Sequence, residues 1–572
     1  MNLIQVILGV TGYRQARAFD QNCRDPRRTQ EALLRRIMEV NASTQYGKQH
    51  KFSTIRTIEE FQRVAPVSGY EDHEPYIRRE TAGEKKQLTS DSPTLFATTS
   101  GTTGTPKFIP ITTTSRRDKS MAMRLWMYHS AIAYPGMFDG QILAVVSPEV
   151  EGYTESGIPF GAESGHAYRN MPAVMRSVYA IPYDVFAVRD YESKYYSILR
   201  IAAERNITSV GTCNPSTILL LCRKMQDYAQ RIIRDIHDGT LEAGLDIPEE
   251  TRALLEKGFS PNPARALFLE TCLSSSGQLL PRDIWPHMAM IGCWKGGSVG
   301  LYLKELDKYF DADVPIRDWG YLASEVRGSI PLSDKGCGGV LSIETNFYEF
   351  VHEAEADSTN PVFLTADMLQ DGQRYYVYPT TTGGLYRYEM NDLVRVSGFH
   401  EMTPIIEFIQ KGKGVSSLTG EKLYETQVCG AVLESRDVIP GGYEFIVATP
   451  EWGEPPKYVF LVEEEKGHSY PDTQWRDWIG FVDRALQTEN EEYKTKRKSL
   501  RLAPPAVKIV KRGEFLRYRK GRVAEGAPDG QFKMLKLTPD LKFQEKFQVE
   551  RIVEMAPLSA SGEHDPTHLT GP

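Results

Sequence analysis

The sequence predicts an α/β chain with a small second domain, on three observations. Between residues 95 and 408 short apolar runs alternate with helical stretches and glycine-bearing turns, the pattern of mixed sheets and helices packed in layers. At residues 411–415 (KGKGV) two glycines and two lysines interrupt the apolar runs, which reads as a flexible hinge. Beyond it lies a self-contained α+β pattern. The expected organisation is therefore a large domain over 1–410, a hinge at 411–415, a small mobile α+β domain over 416–557, and a tail over 558–572.

The elements follow in chain order. Residues 3–10 form an apolar run expected to make a short docking helix, with an interfacial helix as the alternative because Arg14 and Arg17 follow it. The stretch 25–61 is a helical leading segment: Leu33, Leu34, Ile37 and Met38 recur at helical spacing, and Thr57 followed by Glu60 marks a helix start. Strands are expected at 142–147 (ILAVVS), 208–211 and 339–344, and helices at 191–205 and 216–236. In the second domain the pattern gives a helix at 425–433, strands at 443–447 and 458–462, a helix at 473–484 and a strand at 507–510. The last fifteen residues are rich in Ser, Gly, Pro, His and Thr with almost no bulky apolar side chains, and are expected to be disordered. No repeat of solenoid or propeller period is visible.

Composition narrows the function. The chain has 572 residues, a formal net charge of −7 and an apolar content of 41%, enough for a large core but without a cationic field for nucleic-acid phosphates or anionic membranes. Its seven cysteines are scattered, with no CxxC pair and no histidine cluster at zinc spacing, which fits a reducing cytoplasm. No basic segment precedes the N-terminal apolar run, so a signal peptide is not expected, and no segment approaches the ~20 apolar residues of a membrane span.

The strongest local signal is Thr98-Thr99-Ser100-Gly101-Thr102-Thr103-Gly104-Thr105-Pro106-Lys107. Glycines that let backbone N–H groups turn inward, hydroxyl donors and a terminal cation suit a polyphosphate. It is not a Walker A loop, because Lys107 follows proline and leads into the strand-like Phe108-Ile109-Pro110-Ile111 instead of a helix. An ordinary Ser/Thr/Gly hairpin turn is the other reading of these residues.

This loop resembles the first signature of the adenylate-forming superfamily, which includes acyl-CoA ligases and firefly luciferase. Two later runs, WGYLASE at 319–325 and GLYRYEMNDLVRVSGFH at 384–400, are similar to the auxin-responsive promoter family of acyl acid amido synthetases, and the stretch from Ile284 to Tyr302 extends the likeness. The resemblance implies an adenylate-forming N-terminal domain and the use of ATP and Mg2+. By residue, it implies that Thr99, Ser100, Gly101, Thr102, Thr103, Gly104 and Lys107 bind phosphates, and that Gly297 and Ser298 cradle adenine. Tyr321 and Ser324 would face the nucleotide, Glu325 would ligate the metal, Asp392 would accept the ribose hydroxyls, and Phe408 would pack beside the nucleotide. The alternatives are a simple chain turn for residues 296–298, a polar turn for residues 324–327, a surface-turn aspartate capped by Asn391 for Asp392, and a core residue for Phe408. Two lysines compete to neutralise the α-phosphate: Lys422, preferred, and Lys533. Three departures stand out: Ala323 where plant members carry serine, the pair Glu389-Met390, and Asn391 where they carry glycine.

The implied reaction is attack of a carboxylate oxygen on the α-phosphorus of ATP, followed by capture of the acyl adenylate by a second nucleophile, with no covalent enzyme intermediate. His166, His287 and His400 have no motif context and read as structural. Residues Asn214, Ser216 and Thr217, the loop 157–165 and residues 294–297 are expected to line the acyl pocket. Three functions remain open at this point: an amido synthetase joining a carboxylic acid to an amino acid or other amine, an acyl-CoA ligase, and a catalytically silent acid- or nucleotide-binding protein.

Overall fold

The computed structural model describes residues 3–99, 107–296, 303–356, 358–412, 414–416, 418, 421, 423–440, 442–453, 455–498, 502–524 and 534–555. The chain divides into two compact units, one over Met1–Gly412, the other over Lys413–Gly521 and resuming at Met534.

The first unit opens on helices. The apolar run at 3–10 is only the beginning of a longer helix, Leu3–Cys23, which continues because nothing breaks it until Asp25-Pro26. Leu8, Ala16, Phe19 and Cys23 are buried along it, while Val6, Ile7, Val10 and Tyr13 stay exposed. Asp25 caps the next helix, Pro26–Asn41, by accepting from the Arg28 N–H, with proline in the first turn where its missing N–H costs nothing. That helix buries Leu33, Leu34, Ile37 and Met38. Gln30 fastens it to the strand Asn346–His352: its amide nitrogen donates to the Ile343 and Asn346 carbonyls and its amide oxygen accepts from the Tyr348 N–H. Thr57 and Glu60 form the reciprocal cap of helix Ile58–Val64 that their spacing predicts.

Three sheets make up the body of this unit. In one, strands Lys107–Thr112, Pro93–Thr99, Pro159–Gly161 and Gly152–Tyr153 lie side by side. The second is parallel, in the order Gln141–Ala144, Ile207–Gly211, Met290–Gly292, Ile316–Arg317. Helices Tyr191–Glu204 and Pro215–Asp238 supply its apolar cover, as the crossover connections of parallel strands require. The first of these strands ends at Ala144, short of the expected Ser147, because its partner strand ends at Gly211, opposite Ala144. The third sheet is antiparallel and seven-stranded: Leu364–Thr365, Asn346–His352, Arg374–Thr381, Asp392–His400, Thr403–Lys411, Gly339–Leu341, Ser329–Ile330. The strand expected over 339–344 closes at Leu341.

The second unit holds a four-stranded sheet, Tyr443–Glu451, Lys457–Glu464, Ala506–Val510 and Val549–Glu554. Helices Glu425–Glu434 and Asp472–Glu489 pack on it, the latter burying Trp475, Trp478, Ile479, Val482 and Leu486. The edge strand Val549–Glu554 had no counterpart among the sequence expectations. Deep in this unit Arg497 Nε meets Asp483 Oδ1 at 2.9 Å, and the Tyr493 hydroxyl donates to the same oxygen at 2.7 Å. The tail expected over 558–572 lies outside the described residues. Among the described residues no helix is long and apolar enough to cross a membrane.

Candidate active site

The segment from Asp318 to Arg327 is the short connection that leaves the parallel sheet after Ile316–Arg317 and enters the antiparallel sheet at Ser329–Ile330. Side chains from two differently built sheets meet there. The segment is a tight hairpin. Tyr321 O accepts from the Gly328 and Ser329 N–H groups, the Tyr321 N–H donates to Ser329 Oγ, and the Ala323 N–H donates to Val326 O at 2.8 Å. Gly320 takes a φ of +83°, and a side chain there would collide with the Ser329 backbone. Ser324 and Glu325 form the tip.

Tyr321 and Asp392, expected from sequence to share one site, are in direct contact: the buried Tyr321 hydroxyl donates to Asp392 Oδ2 at 2.7 Å. Burial, and after it the Asp392 charge, hold the Tyr321 phenol far above its ordinary pKa, so it stays a donor. Phe408, paired with Val394 on the neighbouring strand, stacks on Tyr321 with ring planes 5° apart and centroids 6.1 Å apart. Asp392 is therefore not the capped surface-turn residue of the alternative reading; it is buried at 2% exposure at the start of its strand. Asn391, just before it, has a φ of +53°. Asparagine is among the few residues that tolerate that left-handed conformation.

The preceding run is an internal support. Arg387 donates through Nη2 to Glu349 at 3.1 Å and through Nη1 to the Gln62 and Ala65 carbonyls, while Tyr386 donates to Leu88 O at 2.6 Å.

Glu325 is half-buried, and among the described residues its carboxylate has no hydrogen-bond partner. It raises the pKa of both Tyr321 and Tyr388, and Tyr388 also feels Glu71, Tyr70 and Asp392. Glu325 and Asp392 thus lie within one electrostatic neighbourhood. Tyr70 extends it to the phosphate-loop segment: its hydroxyl oxygen accepts from the Phe108 N–H at 2.9 Å, and Lys107 Nζ lies over its ring at 5.0 Å. Thr99 and Lys107 are opposite one another in antiparallel register, so the two strands bring the ends of the loop together. The side chain of Thr99 and residues Ser100, Gly101, Thr102, Thr103 and Gly104 lie outside the described residues, as do Gly297, Ser298, Lys422 and Lys533. Thr98 donates to Glu151 at 2.9 Å, and burial raises the Glu151 pKa.

Asn214 and Thr217 are buried at the start of helix Pro215–Asp238, where the Asn214 carbonyl accepts from Thr212 Oγ1 and from the Thr217 N–H. The side chain of Ser216 lies outside the described residues. His166, expected to be structural, has both ring nitrogens engaged: Nδ1 contacts Glu149 Oε1 at 2.5 Å and Nε2 contacts Arg116 at 2.8 Å. Because an arginine can only donate, Nε2 is the acceptor and Nδ1 carries the hydrogen.

Two features have no counterpart among the sequence expectations. Lys119, on the helix Thr113–Ala133, donates to the Ser324 carbonyl at 2.6 Å and pairs with Glu163 at 2.7 Å, gripping the hairpin tip next to Glu325. Trp319 stacks on Trp126 at 4.1 Å and donates to the Thr212 carbonyl, tying the hairpin to the Asn214 segment. Both residues reach across more than 100 residues of sequence; Trp319 opens the run at 319–325, but Lys119 belongs to no local motif.

Comparison with known proteins agrees with this anatomy. The GH3 family N-terminal domain matches residues 15–316, its central domain 339–411 and its C-terminal domain 436–542. The chain is 26% identical to the indole-3-acetic acid-amido synthetase GH3.5 of Arabidopsis thaliana, over 88% of this chain and 87% of that one. It is 24% identical to the jasmonoyl-L-amino acid synthetase JAR4 of Nicotiana attenuata, over 90% and 92%. Its fold is that of the GH3.15 acyl acid amido synthetase, with a TM-score of 0.83 at 20% identity over 94% of this chain and 97% of that one. With more than half of its length matched by the family's N-terminal domain alone, this chain belongs to the GH3 family.

Proposed function

We propose that the protein activates a carboxylic acid with ATP, forming an acyl adenylate and pyrophosphate, and then transfers the acyl group to an amine, most simply an amino acid, with release of AMP. The observation that carries this is the buried contact of Tyr321 with Asp392 beneath the Phe408 ring, with Glu325 presented at the neighbouring hairpin tip. A held acceptor carboxylate beside a flat aromatic surface suits a ribose and its base. That the GH3.5 and JAR4 relatives are acid–amino acid synthetases supports the same reading.

In this reading Asp392 accepts the ribose hydroxyls, Phe408 and Tyr321 flank the nucleoside, and Gly297 and Ser298 face adenine. Lys107 and the hydroxyls and backbone of Thr99, Ser100, Gly101, Thr102, Thr103 and Gly104 hold phosphates, with Ser324 beside them. Glu325 suits Mg2+, a hard cation that binds one or two protein carboxylates and completes its shell with water and phosphate oxygens. Among the described residues there is no cluster of three or more ligating side chains, and such a site needs none. The metal supplies charge neutralisation at the polyphosphate. Lys422, with Lys533 as the competing residue, neutralises the α-phosphate. Asn214, Ser216 and Thr217 contribute to the acyl pocket, and cysteines that form no disulfide among the described residues fit a reducing cytoplasm.

Acid-dependent exchange of labelled pyrophosphate into ATP tests the first step, over a panel of aryl, indolyl and aliphatic acids. Exchange is expected with at least one acid and loss of exchange in Glu325→Ala; exchange at the wild-type rate in that variant refutes the metal assignment. Product mass with mixed amino acids or coenzyme A identifies the acceptor.

A further inference from the structure

Arg327, two residues beyond Glu325, is one of the most deeply buried large side chains in the protein, at 2% exposure. Its guanidinium makes a single hydrogen bond among the described residues, from Nη2 to the Trp319 carbonyl at 3.3 Å. Nε is buried and donates to nothing. Among the described residues no carboxylate lies within ion-pair distance. A buried cation in that condition is costly unless something completes its shell, and a guanidinium is shaped to receive a carboxylate through two parallel N–H bonds.

The acidic groups that reach Arg327 electrostatically are already engaged. Glu163 is paired with Lys119, and Asp318 accepts from the Lys295 and Gly320 N–H groups. The third neighbour is Cys213, adjacent to Asn214. Trp319, whose carbonyl Arg327 holds, is bonded through its ring to Thr212. Arg327 therefore lies where the 157–165 loop, the Asn214 segment and the Lys295 segment converge, the three pieces of chain assigned above to the acyl group.

We propose that Arg327 receives a substrate carboxylate other than the one being activated. That carboxylate is either the second acid group of a dicarboxylic acyl donor or the α-carboxylate of an amino-acid acceptor. The proposal rests on the adenylation reading of this site for its setting, but it is tested by binding as well as by turnover.

Calorimetric titration of the full chain uses matched acids, hexanoate against adipate and phenylacetate against para-phenylenediacetate, followed by alanine added to protein holding the better acid. Wild type is expected to prefer one dicarboxylate over its partner by about tenfold or more, and Arg327→Met to bring that ratio near one. Arg327→Lys, which keeps the charge but not the fork, should retain part of the preference and serves where the methionine variant does not fold, as judged by circular dichroism. Equal affinities within both pairs, with alanine binding weakened about tenfold in the variants, assign the site to the acceptor. Ratios and alanine affinity that Arg327→Met leaves unmoved overturn the proposal. Pyrophosphate exchange on the same samples separates the two levels: a dicarboxylate preference without exchange by any acid faults the adenylation reading alone, and exchange with an unmoved preference faults Arg327 alone.

Discussion

The Tyr321 hydroxyl donates to Asp392 Oδ2 across 71 residues of sequence, and the bond joins the hairpin between the two sheets to the first residue of a strand in the antiparallel one. Its geometry fixes the Asp392 carboxylate, and under the proposed adenylation the ribose site would be preorganised. Removing the hydroxyl leaves a buried carboxylate short of a donor, which costs about 1–3 kcal/mol. Tyr321→Phe is expected to lower the thermal midpoint and to raise the KM for ATP in pyrophosphate exchange; a variant with both values at wild type shows the bond to be incidental.

Asn391 predicts a different kind of sensitivity. Its φ of +53° demands a residue at ease in the left-handed region, and a β-branched side chain there costs about 1–3 kcal/mol. Asn391→Gly should be tolerated and Asn391→Val should unfold at lower temperature and lose nucleotide affinity, since the strained peptide leads straight into Asp392. Thermal melts with and without ATP separate the two variants.

Lys119 acts through the Ser324 carbonyl, which makes it a positioning residue. Lys119→Met should slow exchange by about ten- to a hundredfold while Lys119→Arg restores part of the rate, because a cation again reaches both Glu163 and the carbonyl. A structural role alone predicts instead a fall in thermal midpoint with the ratio of kcat to KM intact in the protein that remains folded.

The buried Glu80 gives a pH signature. Desolvation raises its pKa from 4.5 to about 7, opposed by the bond it accepts from the Leu88 N–H. The folded state then holds a proton that the unfolded chain releases between pH 4.5 and about 7. Its contribution to stability is thus fully present below pH 4.5 and is lost as the pH rises through about 7. Glu80→Gln removes the ionisation, so the midpoint of the variant relative to wild type should climb from about pH 5 to about pH 8. A difference that stays flat across that interval shows that Glu80 titrates normally in the folded protein.

Much of the framework could be read along the chain. The Thr57 and Glu60 cap, the helical stripe from Leu33 to Met38 and the long helices after Asp190 and Asn214 follow from local chemistry, and the structure carries them. Ends were harder: the first helix runs to Cys23, and two strands close three residues early, because pairing partners and not apolar content decide where a ladder stops.

The motif residues Tyr321, Asp392 and Phe408 could be proposed for one site from resemblance. Their mutual contact could not, since a 2.7 Å bond between residues 71 positions apart depends on how a hairpin and a strand are juxtaposed. Lys119 and Arg327 carried no signal at all, as a lysine in a helix and an arginine after a turn are ordinary until burial and partners are known. The sequence by itself determined the element types, the hydroxyl-rich loop segment and the identity of the carboxylates, all properties of neighbouring residues. Only the tertiary structure decided which cation grips the Glu325 hairpin and which one is buried with its fork unfilled. Those facts arise from long-range packing and desolvation, which no local pattern encodes.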